Sequence, residues 1–347
     1  MMTQESPPKE ATTVAGSTTE PRRADVPLRS RAALRWDGLG VTIAAVALVV
    51  LAGAFHPTFI LPGNLFNVAQ ASVYIGLLAV GSVFLIAMRE LDLSIGSTFG
   101  LTLTGSALLM SNGVDPWIAA IAGIVFGAFL GFNNALIVQL IRIPTIVATL
   151  ATLSVYRGLA LGLSQGRQVT GLPRNHPFFS IIGGNVLGIP VSVIILVLVI
   201  GGLVLVMHKT SFGYRIRSIG SNPEASEYAG IPIDRTRMQV LTLVGALAGL
   251  AGVLGLAFFS SGDPNIGCGY ELQAIAAAII GGTAMRGGRA CVTGAAIGAF
   301  LLATVTAALA YFQVPANWNG FATGAVILAA VSVDGVLRQR KRLRSRR

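Results

Sequence analysis

Ten apolar runs, most of them near 20 residues long, constrain this chain more than any other feature. They fall at roughly 38–55, 68–88, 94–111, 117–140, 144–163, 189–207, 238–259, 272–285, 291–312 and 319–335. A helix of that length matches the bilayer core, and the runs lack the period-two alternation of a membrane barrel strand. Only 11% of the 347 residues are charged, against about 25% in ordinary soluble domains. The expected fold is all-α: a polytopic membrane helix bundle of about ten transmembrane helices. The eighth run is short, and the sequence leaves open whether it crosses or re-enters.

The charges set the orientation. Of the 25 Lys and Arg, all but Arg157, Arg167 and Arg174 fall on segments that alternate runs place on one side. Basic residues flank spans on the cytoplasmic side, so both termini are expected there. The net charge of +11 therefore reads as topology and not as a nucleic-acid surface. The expected organisation is a disordered basic cytoplasmic tail at 1–36, a membrane domain at 37–336 with a cytoplasmic loop at 208–237, and a basic cytoplasmic tail at 337–347. The early apolar region of a cleaved signal peptide is missing, so the first span is expected to be retained. Glycines four apart, as Gly127/Gly131, Gly245/Gly249, Gly294/Gly298 and Gly320/Gly324, are spaced for close helix packing. Cys268 and Cys291 fit no metal spacing and read as unpaired thiols near opposite ends of a span.

Inside the polar island Lys209–Arg237, Ser221 or Asn222 can cap a short helix, with Pro223 at its first position and Glu224 and Glu227 in its early turns. With Ser221 as the cap, Glu224 would complete a capping box, and Gly230 supplies a left-handed stop. About two turns cannot stand alone in water, so such a helix either docks on a partner or is only a turn in a solvated loop. Elsewhere, Asp92 and Ser94 sit after the second run, beside Arg89 and Glu90. Asn133 and Asn134 lie in the fourth run, Thr149 and Thr152 in the fifth, and Glu271 at the start of the eighth. Each has a structural reading, as a charged hinge, an interhelical hydrogen bond or a helix N-terminal acid. Each also has a functional one, as the lining of a weakly polar path.

Several stretches resemble one family. Glu224-Ala225-Ser226-x-x-x-Gly230 resembles the Glu-Ala-Ala-x-x-x-Gly core of the coupling loop in ABC importer permeases, with Ser226 departing and the distal Ile-x-Leu-Pro absent. Thr210-Ser211-Phe212-Gly213-Tyr214-Arg215 through Gly230-Ile231 is similar to the ribose-type branch. Leu91-Asp92-Leu93-Ser94-Ile95-Gly96-Ser97 resembles its Ile-Asp-Leu-Ser-Val-Gly-Ser signature, where Arg89 and Glu90 replace smaller or neutral residues. Gly269-Tyr270-Glu271-Leu272-Gln273-Ala274-Ile275-Ala276-Ala277 with Gly281-Gly282-Thr283 resembles a further segment; Gln273 replaces its aspartate and Ala284 its serine. Ile143–Leu150, Val155–Gly158 and Val314–Asn319 look most like autoinducer-2 permeases.

The resemblance covers roughly residues 60–335. It implies the membrane subunit of an ATP-driven importer for a small sugar-like solute such as ribose, with autoinducer-2 or a deoxyhexose as alternatives. The implied coupling residues are Ser221, Asn222, Pro223, Glu224, Ala225, Ser226, Glu227 and Gly230. Those implied to border the path are Asp92, Ser94, Asn133, Thr149, Thr152 and Glu271, with Asp92 and Ser94 as helix-start caps. The implied partners are an ABC ATPase subunit, an extracytoplasmic solute-binding protein, and a second permease copy or paralogue, in a cell membrane. The 164–188 loop, with Arg167, Arg174, His176 and Phe178-Phe179, suits docking of that binding protein or is an ordinary re-entrant or interfacial segment. The chain lacks a Gly-x-x-x-x-Gly-Lys-Ser/Thr loop, so ATP and Mg are expected on the ATPase and no cofactor, metal or catalytic residue here.

Two other classes remain as alternatives. An ion-coupled secondary transporter would place ionisable groups near the midplane, whereas the acids here stand near span ends. An intramembrane enzyme finds little support: His56, His176 and His208 lie in loops or at span ends. Gly162-Leu163-Ser164-Gln165-Gly166 matches a hydrolase elbow with no strand before it.

Overall fold

The computed structural model describes residues 38–318, 320–325 and 328. Both tails and most of the tenth run, 319–335, lie outside the described residues. The helices that organise the bundle are α1 Leu39–Phe55, α2 Pro62–Ala87, α3 Ile95–Ser111, α4 Pro116–Ile141, α5 Thr145–Leu163, α6 Pro177–Ile182, α7 Val191–Lys209, α8 Ser211–Ser221, α9 Pro223–Tyr228, α10 Ile233–Phe259, α11 Tyr270–Ile280 and α12 Val292–Tyr311. Six are long and apolar enough to cross a membrane: α2, α4, α5, α7, α10 and α12; α1, α3 and α11 are apolar but shorter. A small antiparallel hairpin pairs Asn185–Val186 with Ile189–Pro190.

Burial sorts these helices into an axis and a periphery. The apolar stretch of α2 is 89% buried and that of α10 78%, whereas α7 is 22% and α5 28% buried. Helices α2 and α10 therefore form the centre, with α3, α4, α11 and α12 packed around them. The closest pairing is between α4 and α10, and it follows from glycine spacing. A methyl added at Gly127 would lie 2.5 Å from the Gly245 carbonyl oxygen and 2.8 Å from Gly249 Cα. The third glycine pair is also used, since Gly294 and Gly298 abut Gly281, just past α11, and Ala277 within it; Gly320 and Gly324 meet nothing within 4 Å among the described residues.

The eighth run is a half-helix fed by a stretch that turns back into the bundle. After α10 the chain retraces α3: Gly262 lies against Thr104 and Ala107, Ile266 against Gly100, and Gly267 against Gly96 and Phe99. Eleven residues of α3 separate Ala107 from Gly96, a depth of about 16 Å. Gly267 and Gly269 take φ of 94° and 80°, a conformation that glycine adopts without strain. Helix α11 starts from this depth and has only 11 residues. The turn after it reaches the far end of the bundle, where Gly288 N–H donates to the Ala87 carbonyl at 2.9 Å. The two thiols stand either side of α11, Cys268 in the turn before it and Cys291 at the start of α12, and both are free.

Two faces result. One carries α8 and α9. The other carries the α3–α4 turn, the 164–176 loop, α6 and the hairpin, and it is tightly held. Val169 and Gly262 exchange backbone hydrogen bonds of 2.8 and 2.9 Å, Gln168 Nε2 donates to Ser261 Oγ at 2.7 Å, and His176 Nε2 lies 3.3 Å from Asp115 Oδ2. Phe178 and Phe179 point inward, buried at 1% and 7% exposure, with Trp117 edge-on to Phe178 at 5.3 Å. Arg167, Arg174 and the hairpin tip Leu187 stay exposed.

Candidate functional site: a buried helix junction and an exposed capped helix

The polar residues singled out in the sequence converge where α3 and α11 begin. Asp92 folds its carboxylate onto the chain ahead: Oδ1 accepts from Ser94 N–H and from Ser94 Oγ, both at 2.7 Å. The expectation that Asp92 and Ser94 each cap the helix is corrected here. Ser94 is the N-cap residue, yet its hydroxyl makes no cap hydrogen bond, because it is turned towards Asp92. Asn134 Nδ2 donates to Ser94 Oγ at 2.7 Å, and Tyr156 Oη donates to Asn134 Oδ1 at 2.8 Å. Asn133 Nδ2 in turn donates to Tyr156 Oη at 3.1 Å. Thr149 Oγ1 accepts from Leu93 N–H at 3.1 Å, and Thr152 Oγ1 donates to the Thr149 carbonyl at 3.3 Å. One network thus ties α3, α4 and α5 together.

Burial divides these residues. Asp92, Ser94, Asn134, Thr149 and Thr152 are 5% exposed or less, and their hydrogen-bonding groups face protein. That is the interhelical role, since a buried polar group needs a partner. Asn133, Arg157 and Glu271 are half-buried, and Asn265 and Cys268 are exposed. Glu271 stands in the first turn of α11 beside Gly96, where an added methyl would meet its carboxylate. It therefore lies well inside the bundle and not at the outer end of a span as the sequence suggested. The descent of 260–269 along α3, invisible to a count of apolar runs, is the reason. Arg157 Nη2 reaches the Asn265 carbonyl at 3.3 Å. Tyr156, Arg157 and Asn265 thus join the constellation, and an arginine inside an apolar run was the signal for it.

On the opposite face, Asn222 caps α9: its Oδ1 accepts from Ala225 N–H at 3.1 Å, with Pro223 at the first helical position. The Ser221–Glu224 capping box is corrected, because Ser221 is the last residue of α8. Helix α8 has a legible signal, with Phe212, Ile216 and Ile219 on one side and Thr210 Oγ1 accepting from Gly213 N–H at 3.3 Å. Gly230 takes φ 75° as the stop. Of the six residues of α9, Ser226 alone is buried, while Glu224, Ala225, Glu227 and Tyr228 are exposed, Tyr228 at 94%. A cavity of about 960 Å³ opens between the end of α4, the start of α5 and the start of α10, lined by Arg89, Glu90, Leu91, Arg142, Asp234 and Arg237 among others.

Comparison with known proteins gives a consistent result. The chain is 36% identical over 305 residues to the ribose import permease protein RbsC of Bacillus subtilis, covering 87% of this chain and 95% of that protein. It is 36% identical over 304 residues to the autoinducer 2 import system permease protein LsrC of Klebsiella pneumoniae, covering 87% of each. The ribose import permease protein RbsC of Escherichia coli K12 is 34% identical over 294 residues, covering 84% of this chain and 92% of that protein. No solved structure gives a significant match. The family model described as branched-chain amino acid transport system / permease component matches residues 64–331, and this multi-pass membrane chain belongs to that family.

Proposed function

We propose that the chain is the membrane-spanning permease subunit of an ATP-driven importer for a small sugar-like solute, ribose foremost, in the cytoplasmic membrane. The observation that carries the reading is α9, a capped six-residue helix standing almost wholly in solvent within a family of transport permeases. A helix this short gains its stability from docking, and its exposed Tyr228 gives a partner an apolar hold. Here that partner is an ABC ATPase subunit, which carries the ATP and Mg. The α9 face is then cytoplasmic, both termini lie on that side, and ten spans include the discontinuous 260–280 unit and the run at 319–335. Coupling rests on Ser221, Asn222, Pro223, Glu224, Ala225, Ser226, Glu227 and Gly230.

The path runs along the half-exposed residues Asn133, Arg157 and Glu271 between two permease copies, or this chain and a paralogue. Asp92, Ser94, Thr149 and Thr152 hold the junction that shapes it, and the cavity at Arg89 and Arg142 is its cytoplasmic mouth. On the opposite face the exposed Arg167 and Arg174 meet an extracytoplasmic solute-binding protein, with Phe178 and Phe179 as the anchor beneath. Autoinducer-2 is the alternative solute, since the relatives named for it are as similar as those named for ribose.

Uptake of ribose into proteoliposomes holding the chain with its ATPase and binding protein should require ATP and persist with an uncoupler. Ser226→Pro removes the hydrogen bond from Ser226 N–H to the Asn222 carbonyl, 3.1 Å long, at a cost of about 3 kcal/mol. It should accumulate in the membrane and lose uptake, whereas Lys209→Ala at the end of α7 keeps it. Uptake at the parental rate by Ser226→Pro would overturn the coupling role.

A further inference from the structure

Arg89 and Glu90, just past the end of α2 and both departing from the family pattern, hold the two elements that flank α9. Arg89 takes φ 66°, which turns its guanidinium onto the end of α8. Its Nε donates to the Gly220 carbonyl at 2.7 Å and its Nη2 to the Ser221 carbonyl at 2.8 Å. The last carbonyls of a helix have no partner within it, so this fork replaces what the helix cannot supply. Gly287 closes the other side: a methyl there would lie 2.6 Å from both Arg89 Cγ and the Gly220 carbonyl oxygen. Glu90 Oε1 accepts from Arg237 Nε at 2.7 Å, while Arg237 Nη1 donates to Asp234 Oδ1 at 2.7 Å. Arg237 and Asp234 belong to the first turns of α10.

Consecutive residues thus hold the end of α8 and the start of α10, and α9 is strung between the two held points. Two residues beyond Glu90 stands Asp92, bonded to Ser94 and through Asn134 to α4 and α5. The distance from Glu90 to Asp92 along the backbone is about 7 Å, with no slack segment in between. We infer that Arg89 and Glu90 are positioning residues: a two-point clamp that carries displacement of α9 to the junction of α3, α4 and α5. The inference rests on α9 being the ATPase contact. A merely structural cap would affect folding and leave the ratio of transport to ATP hydrolysis alone.

The experiment uses the full chain with its ATPase subunits and binding protein in proteoliposomes, with ribose as the probe. It reads ribose moved per ATP hydrolysed and ATPase retained on the permease. Glu90→Arg and Arg237→Glu should each lower the ratio about tenfold, the scale of one charge-assisted hydrogen bond, with the ATPase still bound. The double exchange should recover it, because an arginine at 90 faces the acids at 234 and 237. Arg89→Lys keeps the charge and loses the fork, so it should fall between the parent and Arg89→Ala. Glu90→Gln serves in place of any variant that fails to accumulate. A parental ratio in the single variants, or no recovery in the double exchange, overturns the clamp. If Ser226→Pro abolishes uptake while the clamp variants behave as the parent, the clamp alone fails. If all transport normally, the coupling reading falls with it.

Discussion

Asn134 shows what single residues do in this bundle. It is fully buried, its Nδ2 donates a hydrogen bond to Ser94 Oγ and its Oδ1 accepts one from Tyr156 Oη, so α3, α4 and α5 meet through one side chain. Asn134→Ala removes two buried interhelical hydrogen bonds at once, the one to Ser94 Oγ and the one from Tyr156 Oη, and should cost about 1–3 kcal/mol. Tyr156→Phe removes the hydroxyl's interhelical hydrogen bonds to Asn134 Oδ1 and from Asn133 Nδ2, and such bonds in membranes average about 0.6 kcal/mol each. Thermal unfolding in detergent should rank them in that order, and equal melting of Asn134→Ala and the parent would remove the network's structural role. The sequence exposed the residue types of this junction, because a polar side chain in an apolar run stands out. It could not expose their partners, which depend on which helices become neighbours. The capping error at Ser221 has the same origin: a cap is defined by where the preceding element ends, and α8 continues through Ser221.

At the scale of elements, close approach is what glycine spacing encodes, and it was legible for α4 and α10. Gly245 faces Gly131 so tightly that an added methyl would lie 2.8 Å from its nitrogen and 2.9 Å from its Cα. Gly245→Val should therefore cost about 1–3 kcal/mol through overpacking of backbone against backbone. Gly201→Ala in α7, with nothing within 4 Å among the described residues, should be neutral or slightly stabilising by helix propensity. Melting temperatures of the two variants in the same detergent test this, and an unchanged Gly245→Val would mean the helices can separate at no cost. The discontinuous unit was only half legible. The short eighth run left open whether it crosses or re-enters, and the return of 260–269 along α3 left no periodicity. It is irregular backbone, admitted at that depth because α3 covers it on one side.

For the whole molecule, the basic residues act collectively, and orientation is the property they decide. No single arginine sets it; the bias arises because a segment rich in Lys and Arg resists crossing the membrane. In the proposed orientation the exposed Arg167 and Arg174 of the 164–176 loop lie outside and the α9 face inside. Single cysteines at Asn175 and Lys209, both exposed, report the two faces in a background with Cys268→Ser and Cys291→Ser. The cysteine at 175 should react with a membrane-impermeant maleimide in intact cells, and the one at 209 only after lysis. Because α7 joins these faces across its 19 residues, the two positions cannot share a side unless α7 fails to span. Labelling of both before lysis would remove α7 from the spans, and labelling in reverse order would invert the molecule. Inversion would put α9 outside the cell, out of reach of any ATPase, and the importer reading would fall at its first step.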